Sequence, residues 1–358
     1  MIYSSISAAK PNKINGKYVT SEFITLTKHM VLNELFQIQT EHSTKFGDMV
    51  ICLDKSVDGY WRKDVFAAYK SNRKKGRDES DIIFKEVFAE LDPIIDQLKL
   101  NIPWKVIEIP RAEADDSMLV LAKEYNKYEN ILIHSPDKDM IQAQRENETV
   151  FQYSSLTRKW VVPENKHDNM EHWVQEHVVL GDASDGVPKI VDGIEFSANF
   201  LEHLKANGVH EDHHAPYEFK LTESIEDSSK RDIISSFDTY KLNRKKESTG
   251  ILDIYKDMKF GPAAFDKKIA LHGSLDKWLD SHPLLRPNYE RNFSLVMCEG
   301  IPTYIWNEIL INFKEAPVDY NYKELNDWLI ESNLPGIALT LSTVFKTAGG
   351  LTAESCGW

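Results

Sequence analysis

Apolar residues fall into two rhythms along the first half of the chain. From Ser21 to about Gln39, Phe23, Leu26, Met30, Leu35 and Ile38 recur near a helical period, which predicts an amphipathic helix. Asp48 to Asp54 encloses the continuous run Met49-Val50-Ile51-Cys52-Leu53, which has the length and character of a buried strand and ends in Asp54. Helix is expected over 82 to about 100, strand over Trp104–Ile109, helix from Glu113 to about Tyr128, and strand over Ile131–Ser135. Short strands follow at Thr149–Tyr153 and Lys159–Val162, and a helix from about Asn169 to Leu180 leads into Gly181-Asp182. Short apolar strands alternating with helices predict an α/β fold with a parallel, helix-covered sheet. Beyond about Pro188 the pattern changes. Residues 190–260 are polar and read as a long insertion, Gly261 to about Lys346 reads as mostly helical, and 349–358 reads as a disordered tail.

Composition narrows this only slightly. At 358 residues, 42% hydrophobic and 28% charged, the chain is an ordinary globular sequence of one large or two moderate domains. Its three cysteines, Cys52, Cys298 and Cys356, lie far apart, without metal-ligand or disulfide-scaffold spacing, and fit a reducing cytoplasm. The first ten residues carry no signal-type apolar run, and no window approaches the roughly 20 apolar residues of a membrane span. A net charge of −13 looks wrong for a partner of nucleic acid, but the carboxylates are concentrated in motifs while one short segment is strongly basic.

Acidic clusters occur in order: Asp54; Glu113-Ala114-Asp115-Asp116; Asp137-Lys138-Asp139; and Gly181-Asp182-Ala183-Ser184-Asp185. They fall at strand ends or helix starts, where ligand sites of such sheets lie. Asp137 and Asp139, just past the Ile131–Ser135 strand, would converge on one point if extended. Glu113 and Asp116 share a helix face, and Asp182 and Asp185 have the same spacing in a turn. Alone, an Asp after a strand is ordinarily a turn or cap residue. Jointly, gathered carboxylates repel by several kcal/mol at intermediate dielectric (about 4 kcal/mol per pair at 4 Å). Divalent cations relieve that repulsion. Oxygen-only donors suit Mg²⁺ or Mn²⁺ rather than Zn²⁺, and two ions about 3.5–4 Å apart can serve phosphodiester hydrolysis.

Between the first two clusters lie Gly59-Tyr60-Trp61-Arg62-Lys63 and Tyr69-Lys70-Ser71-Asn72-Arg73-Lys74-Lys75-Gly76-Arg77. Aromatic groups alternating with cations are the chemistry of a single-strand channel, although a basic run is more often a solvated face. Asp54, this basic segment, Glu-Ala-Asp-Asp, Asp-x-Asp and Gly-Asp-x-x-Asp-Gly-Val-Pro together resemble, in order, the motifs of the 5′–3′ exonuclease/flap endonuclease superfamily. The likeness runs from about Asp48 to Pro188 and more weakly through Gly261-Pro262-Ala263-Ala264 and Tyr289–Phe313. Gly59-Tyr60-Trp61-Arg62 and the extended C-terminal half resemble most the phage branch that removes RNA primers, the ribonuclease H of T-even-type bacteriophages.

The resemblance implies a PIN-like nuclease core over 1–186 with a helical arch at about 58–80. It also implies a helical DNA-binding region over 187–348 containing a helix–hairpin–helix element, split by 190–260. It casts Asp54, Glu113, Asp115, Asp116, Asp137, Asp139, Asp182 and Asp185 as holders of two Mg²⁺ ions, with Mn²⁺ as a substitute. Lys70 and Arg73 become contacts to the scissile phosphate. Tyr60, Trp61, Arg62, Lys63, Tyr69, Lys74 and Arg77 become nucleic-acid contacts. A family K⁺ site would fall where the hairpin is interrupted. The implied substrates are DNA and RNA–DNA hybrids with 5′ ends or flaps, the implied partners a single-stranded-DNA-binding protein and a sliding clamp, and the implied setting the cytoplasm of a phage host. One departure stands out: the family's first strand carries a further metal-binding Asp, and Met1-Ile2-Tyr3-Ser4-Ser5 aligns just past it. The expectation is a native start upstream of Met1. The rival readings are a catalytically impaired DNA-structure-binding relative and, less fitting in length, a PIN-type toxin ribonuclease.

Overall fold

Helix α1 (Thr20–Phe46) is the predicted amphipathic helix, extended by about two turns, and it buries Phe23, Val31, Leu32, Leu35 and Phe36. The computed structural model describes residues 13–14, 17–18, 20–54, 59–71, 73, 84–144, 148–162, 170–192, 260–281, 285–318 and 320–348. Ahead of α1, β1 (Lys13–Ile14) and β2 (Lys17–Tyr18) form a short antiparallel pair. The segment 1–12, the proposed insertion over most of 190–260, the tail 349–358, Lys74 and Arg77 lie outside the described residues.

The chain divides into two units. One comprises residues 1–170 and 301–358, the other residues 171–300. The sequence-based division was placed at 186/187; here the C-terminal helices return to the first unit.

In the first unit β3 (Val50–Leu53) is followed by the single turn α2 (Arg62–Val65), then α3 (Phe84–Asn101) and β4 (Lys105–Glu108). Strands β3 and β4 run parallel, with Ile51 opposite Val106 and Cys52 opposite Ile107. Helix α4 (Ala114–Tyr125) precedes β5 (Ile131–His134), a 3₁₀ helix (Lys138–Gln144), β6 (Val150–Ser154) and β7 (Lys159–Val161). β5 and β6 are parallel, but β7 runs antiparallel to β6. The expected parallel pairing holds for β3–β4 and β5–β6, while a short turn over 155–158, with Arg158 at φ +52, returns β7 as a hairpin. Among the described residues β3–β4 and β5–β6–β7 share no ladder, and α4 packs against both β3 and β5.

Helices α9 (Thr303–Glu315), α10 (Tyr322–Glu331) and α11 (Pro335–Thr347) close this unit. Leu325, Leu329, Ile337, Leu341, Val344 and Phe345 join the α1 and α3 side chains and Trp104 in one core. Leu329, Ile337 and Leu341, with Trp328 packed against them, thus present the apolar faces of α10 and α11 to this core. Helix α9 is pinned on α4 and β4: Trp306 Nε1 donates to Glu124 Oε1 (3.1 Å), and Lys105 Nζ to the Phe313 carbonyl (2.6 Å).

The second unit holds most of α5 (Met170–Leu180), a turn over 181–192, and helices α6 (Pro262–His272), α7 (Leu275–Ser281) and α8 (Arg286–Val296). Its core is Val179, Ile190, Val191, Phe260, Phe265, Leu275, Trp278, Leu279 and Leu285. Fully buried Asn292 of α8 donates to the carbonyls of Val178 (2.9 Å) and Pro188 (2.7 Å), tying the helix to the turn. No helix among the described residues is long and apolar enough to cross a membrane.

Candidate metal centre

The first turn of α4 organises the site. Asp54, exposed at the carboxyl end of β3, accepts from the Ala114 backbone N–H (2.7 Å), where a carboxylate also favours the positive end of the helix. Glu113 is the N-cap residue, and its own N–H donates to Asp116 Oδ2 (3.0 Å). Glu113 and Asp116 do share a face, as their spacing implied, but that face looks onto the 59–71 segment. There the Arg62 guanidinium grips Asp116 through both nitrogens (2.9 and 2.7 Å) and reaches Glu113 Oε2 (3.1 Å). Trp61 Nε1 donates to Asp116 (2.9 Å), Tyr69 Oη to Glu113 (2.8 Å), and Lys70 Nζ pairs with Glu113. Burial disfavours the Arg62 charge, but Asp116 and Glu113 outweigh it and hold the guanidinium firmly protonated. The segment itself is anchored by the Trp61 N–H on the Arg111 carbonyl (2.9 Å).

Several expected site residues lie away from solvent. Trp61, Arg62 and Tyr69 were expected to meet nucleic acid, yet all three are buried, and the Arg62 guanidinium lies 4.5 Å from the Trp61 ring. A ring covered by protein offers no face to a base. Asp116, expected as a metal ligand, is fully buried with its oxygens facing Arg62 and Trp61. Lys63 and Arg73 are exposed, while Tyr60 and Lys70 are half-buried with the Lys70 ammonium 5.7 Å from the Tyr60 ring. Lys70 has φ +55, a backbone state costing of the order of 1–3 kcal/mol that its ion pair with Glu113 helps to hold.

Asp115 points elsewhere. Burial, then the charges of Asp137 and Glu113, push its carboxyl up to about 8; Lys70 opposes this, and Asp54 adds to it. Asp54, Asp115 and Asp137 therefore belong to one electrostatic cluster at the carboxyl ends of β3 and β5. Desolvation and Asp115 also push the Cys52 thiol up to about 12, which rules out a reactive thiolate beside it. A carboxylate driven toward neutrality by burial and then by neighbouring carboxylates fits a hard divalent cation, whose binding would restore its ionised form.

Asp137 and Asp139 do not sit on an extended backbone. The chain enters the 3₁₀ helix there, and the Asp139 N–H donates to Asp137 Oδ1 (2.9 Å). Gln152, 1% exposed on β6, holds this loop by donating to the carbonyls of Ser135 (2.9 Å) and Asp137 (2.7 Å). Sequence reading missed Gln152; its one signal was a polar residue inside the apolar strand Val150–Ser154. Asp182 and Asp185 lie in the second unit, where Asp182 Oδ1 accepts from the Ser184 N–H (2.7 Å), the Ser184 hydroxyl (2.6 Å) and the Asp185 N–H (3.3 Å). That carboxylate organises its own turn.

Residues 11–177 match the 5′-3′ exonuclease N-terminal resolvase-like domain. The ribonuclease H of Enterobacteria phage T4 is 32% identical over 169 residues, 47% of this chain and 54% of that protein. A 5′-3′ exonuclease of Buchnera aphidicola is 31% identical over 148 residues, 40% and 49% of the respective chains. The chain thus spans about half the length of the curated relatives it matches. Among solved structures, a T5 5′-exonuclease with bound divalent zinc ions is similar at a TM-score of 0.49 and 13% identity, covering 80% of this chain and 90% of that one. Residues 11–177 are thus similar to the 5′-3′ exonuclease N-terminal resolvase-like domain, and 169 residues of the chain are similar to the ribonuclease H of phage T4.

Proposed function

We propose that the chain is a divalent-metal-dependent 5′–3′ nuclease that hydrolyses RNA from RNA–DNA hybrids, and adjacent DNA or 5′ flaps, in phage DNA replication. What supports this reading is Asp54 at the carboxyl end of β3, held on the first turn of α4 by the Ala114 N–H (2.7 Å), beside Asp115, whose carboxyl is raised first by burial and then by Asp137 and Glu113. Asp54, Asp115 and Asp137 would hold Mg²⁺, with Mn²⁺ able to replace it; Asp139, Asp182 and Asp185 would complete a two-ion site on the resemblance. Bound there, the ions would polarise the phosphodiester and supply a nucleophile without a protein base. Glu113 would orient Lys70, whose ammonium, with Arg73, would neutralise charge on the scissile phosphate. Exposed Lys63 and half-buried Tyr60 remain candidates for the nucleic-acid path, with Lys74 and Arg77 beyond them in an arch at about 58–80. The helix–hairpin–helix reading of the Gly181–Pro188 and Gly261–Ala264 segments, its K⁺ site, and partnership with a single-stranded-DNA-binding protein or clamp belong to the same proposal.

Asp115→Asn is expected to reduce cleavage of a 5′-flap duplex at least about a hundredfold in saturating Mg²⁺ while leaving duplex binding within about twofold. Wild-type turnover would remove the metal assignment. A second reading, a DNA-structure-binding relative of impaired activity, is favoured by one observation: Glu113 and Asp116 are already neutralised by Lys70 and Arg62. Single-turnover cleavage in Mg²⁺ and in Mn²⁺ separates the two, since that relative would bind the flap and leave it intact in both.

A further inference from the structure

We propose that His172, Glu176 and Asp266 form a binding site for a transition-metal dication of the zinc class, joining α5 to α6 within the second unit. His172 and Glu176 stand at i and i+4 on α5, so they project from one helix face a turn apart. Asp266 of α6 reaches the same place, with Oδ1 2.9 Å from His172 Nε2. One ligand atom from each residue lies within 4.8 Å of the other two. Donors around a tetrahedral zinc at about 2.0–2.2 Å sit roughly 3.4 Å from one another, so closure asks for shifts on the order of 1 Å in surface side chains.

The imidazole is already oriented. Its ring packs on that of Phe265 (centroids 5.0 Å), which is itself wholly buried in the core of this unit. A ligand fixed before the ion arrives loses less rotamer freedom on binding. A His–Asp hydrogen bond alone would account for His172 and Asp266. It leaves unexplained a second carboxylate, Glu176, brought to the same point, where two like charges repel unless a cation lies between them.

The donor set defines the ion. An imidazole nitrogen with two carboxylate oxygens suits Zn²⁺, Co²⁺ or Ni²⁺, whereas the oxygen-only Asp54–Asp115–Asp137 cluster suits Mg²⁺. The site is accessible, with His172 and Asp266 side chains 32% and 58% exposed, so water can fill the remaining coordination positions and the ion can exchange. An ion here would tie together two helices separated in sequence by residues 181–261.

The test is calorimetric titration of ZnCl₂ into the whole chain in millimolar Mg²⁺, which occupies the oxygen-only cluster, alongside melting curves with and without zinc. Expected is a zinc site with a dissociation constant on the order of micromolar. It should be lost in His172→Ala and weakened at least about tenfold in Glu176→Gln, with a zinc-dependent rise in melting temperature in the wild type alone. Should His172→Ala fold poorly, Glu176→Gln, a near-isosteric change, decides. Equal zinc heats and melting shifts in wild type and Glu176→Gln, or no zinc binding by the wild type, overturn the proposal. Neither readout involves cleavage, so failure of the nuclease reading leaves the result intact.

Discussion

Arg62 and Asp116 face each other in a setting where neither charge could stand alone. Both side chains are almost fully covered; Arg62 hydrogen-bonds Asp116 Oδ2 (2.9 Å) and lies 2.7 Å from Oδ1, and the Trp61 indole also donates to Asp116. Removing one partner from a buried pair strands the other charge, typically at a cost of about 3–5 kcal/mol. Arg62→Ala should therefore destabilise the first unit by roughly that amount in urea unfolding. A change under about 0.5 kcal/mol, usual for a surface cation, would instead restore Arg62 to the nucleic-acid path. The residue types in Trp61-Arg62 and Glu113-Ala114-Asp115-Asp116 were plain in the sequence; their pairing was not. An Arg beside a Trp reads equally well as a strand-binding surface or as a buried counter-ion, because side-chain identity says nothing of which way the turn faces.

At the scale of elements, helix and strand positions were largely legible. The predicted strand at Trp104–Ile109 is Lys105–Glu108, the helix from Glu113 is Ala114–Tyr125, and the helix to Leu180 ends there. These segments have clear periods and local stop signals, which the backbone obeys with little help from distant residues. The Asp137–Asp139 loop was less legible for the opposite reason: Gln152, two elements on in the structure, holds it. The Gly181 turn is a case where one residue type is obligatory. Gly181 has φ +65, and a Cβ there would lie 2.5 Å from the carbonyl oxygens of Val187 and Pro188. Gly181→Ala is expected to destabilise the second unit by about 1–3 kcal/mol and lower its melting temperature; an unchanged melt would mean that the turn relaxes freely.

For the molecule as a whole, the carboxylate cluster links stability, pH and metal. Asp115 has a folded-state pKa of about 8, above its value in an unfolded chain. The folded state thus holds a proton that the unfolded state has released, and this stabilisation is full below the unfolded carboxylate range and is lost as pH rises through about 8. In chelator, unfolding free energy is expected to fall between about pH 4 and pH 8 through this group. Mg²⁺ should restore stability at the alkaline end, where the ionised form binds it. Asp115→Asn should flatten the slope; an identical slope in that variant would locate the titration elsewhere. The sequence by itself determined the order of strands and helices, the acidic motifs at their ends and the likeness to 5′–3′ exonucleases, because periodicity and motif spacing are local properties of the chain. Only the tertiary structure decided that the helices after Gly300 return to the first core, that Glu113 and Asp116 answer to Arg62 and Lys70, and that buried Asp115 feels the charges of Asp137, Glu113 and Asp54. Those outcomes depend on which surfaces bury against one another, and burial couples residues far apart along the chain.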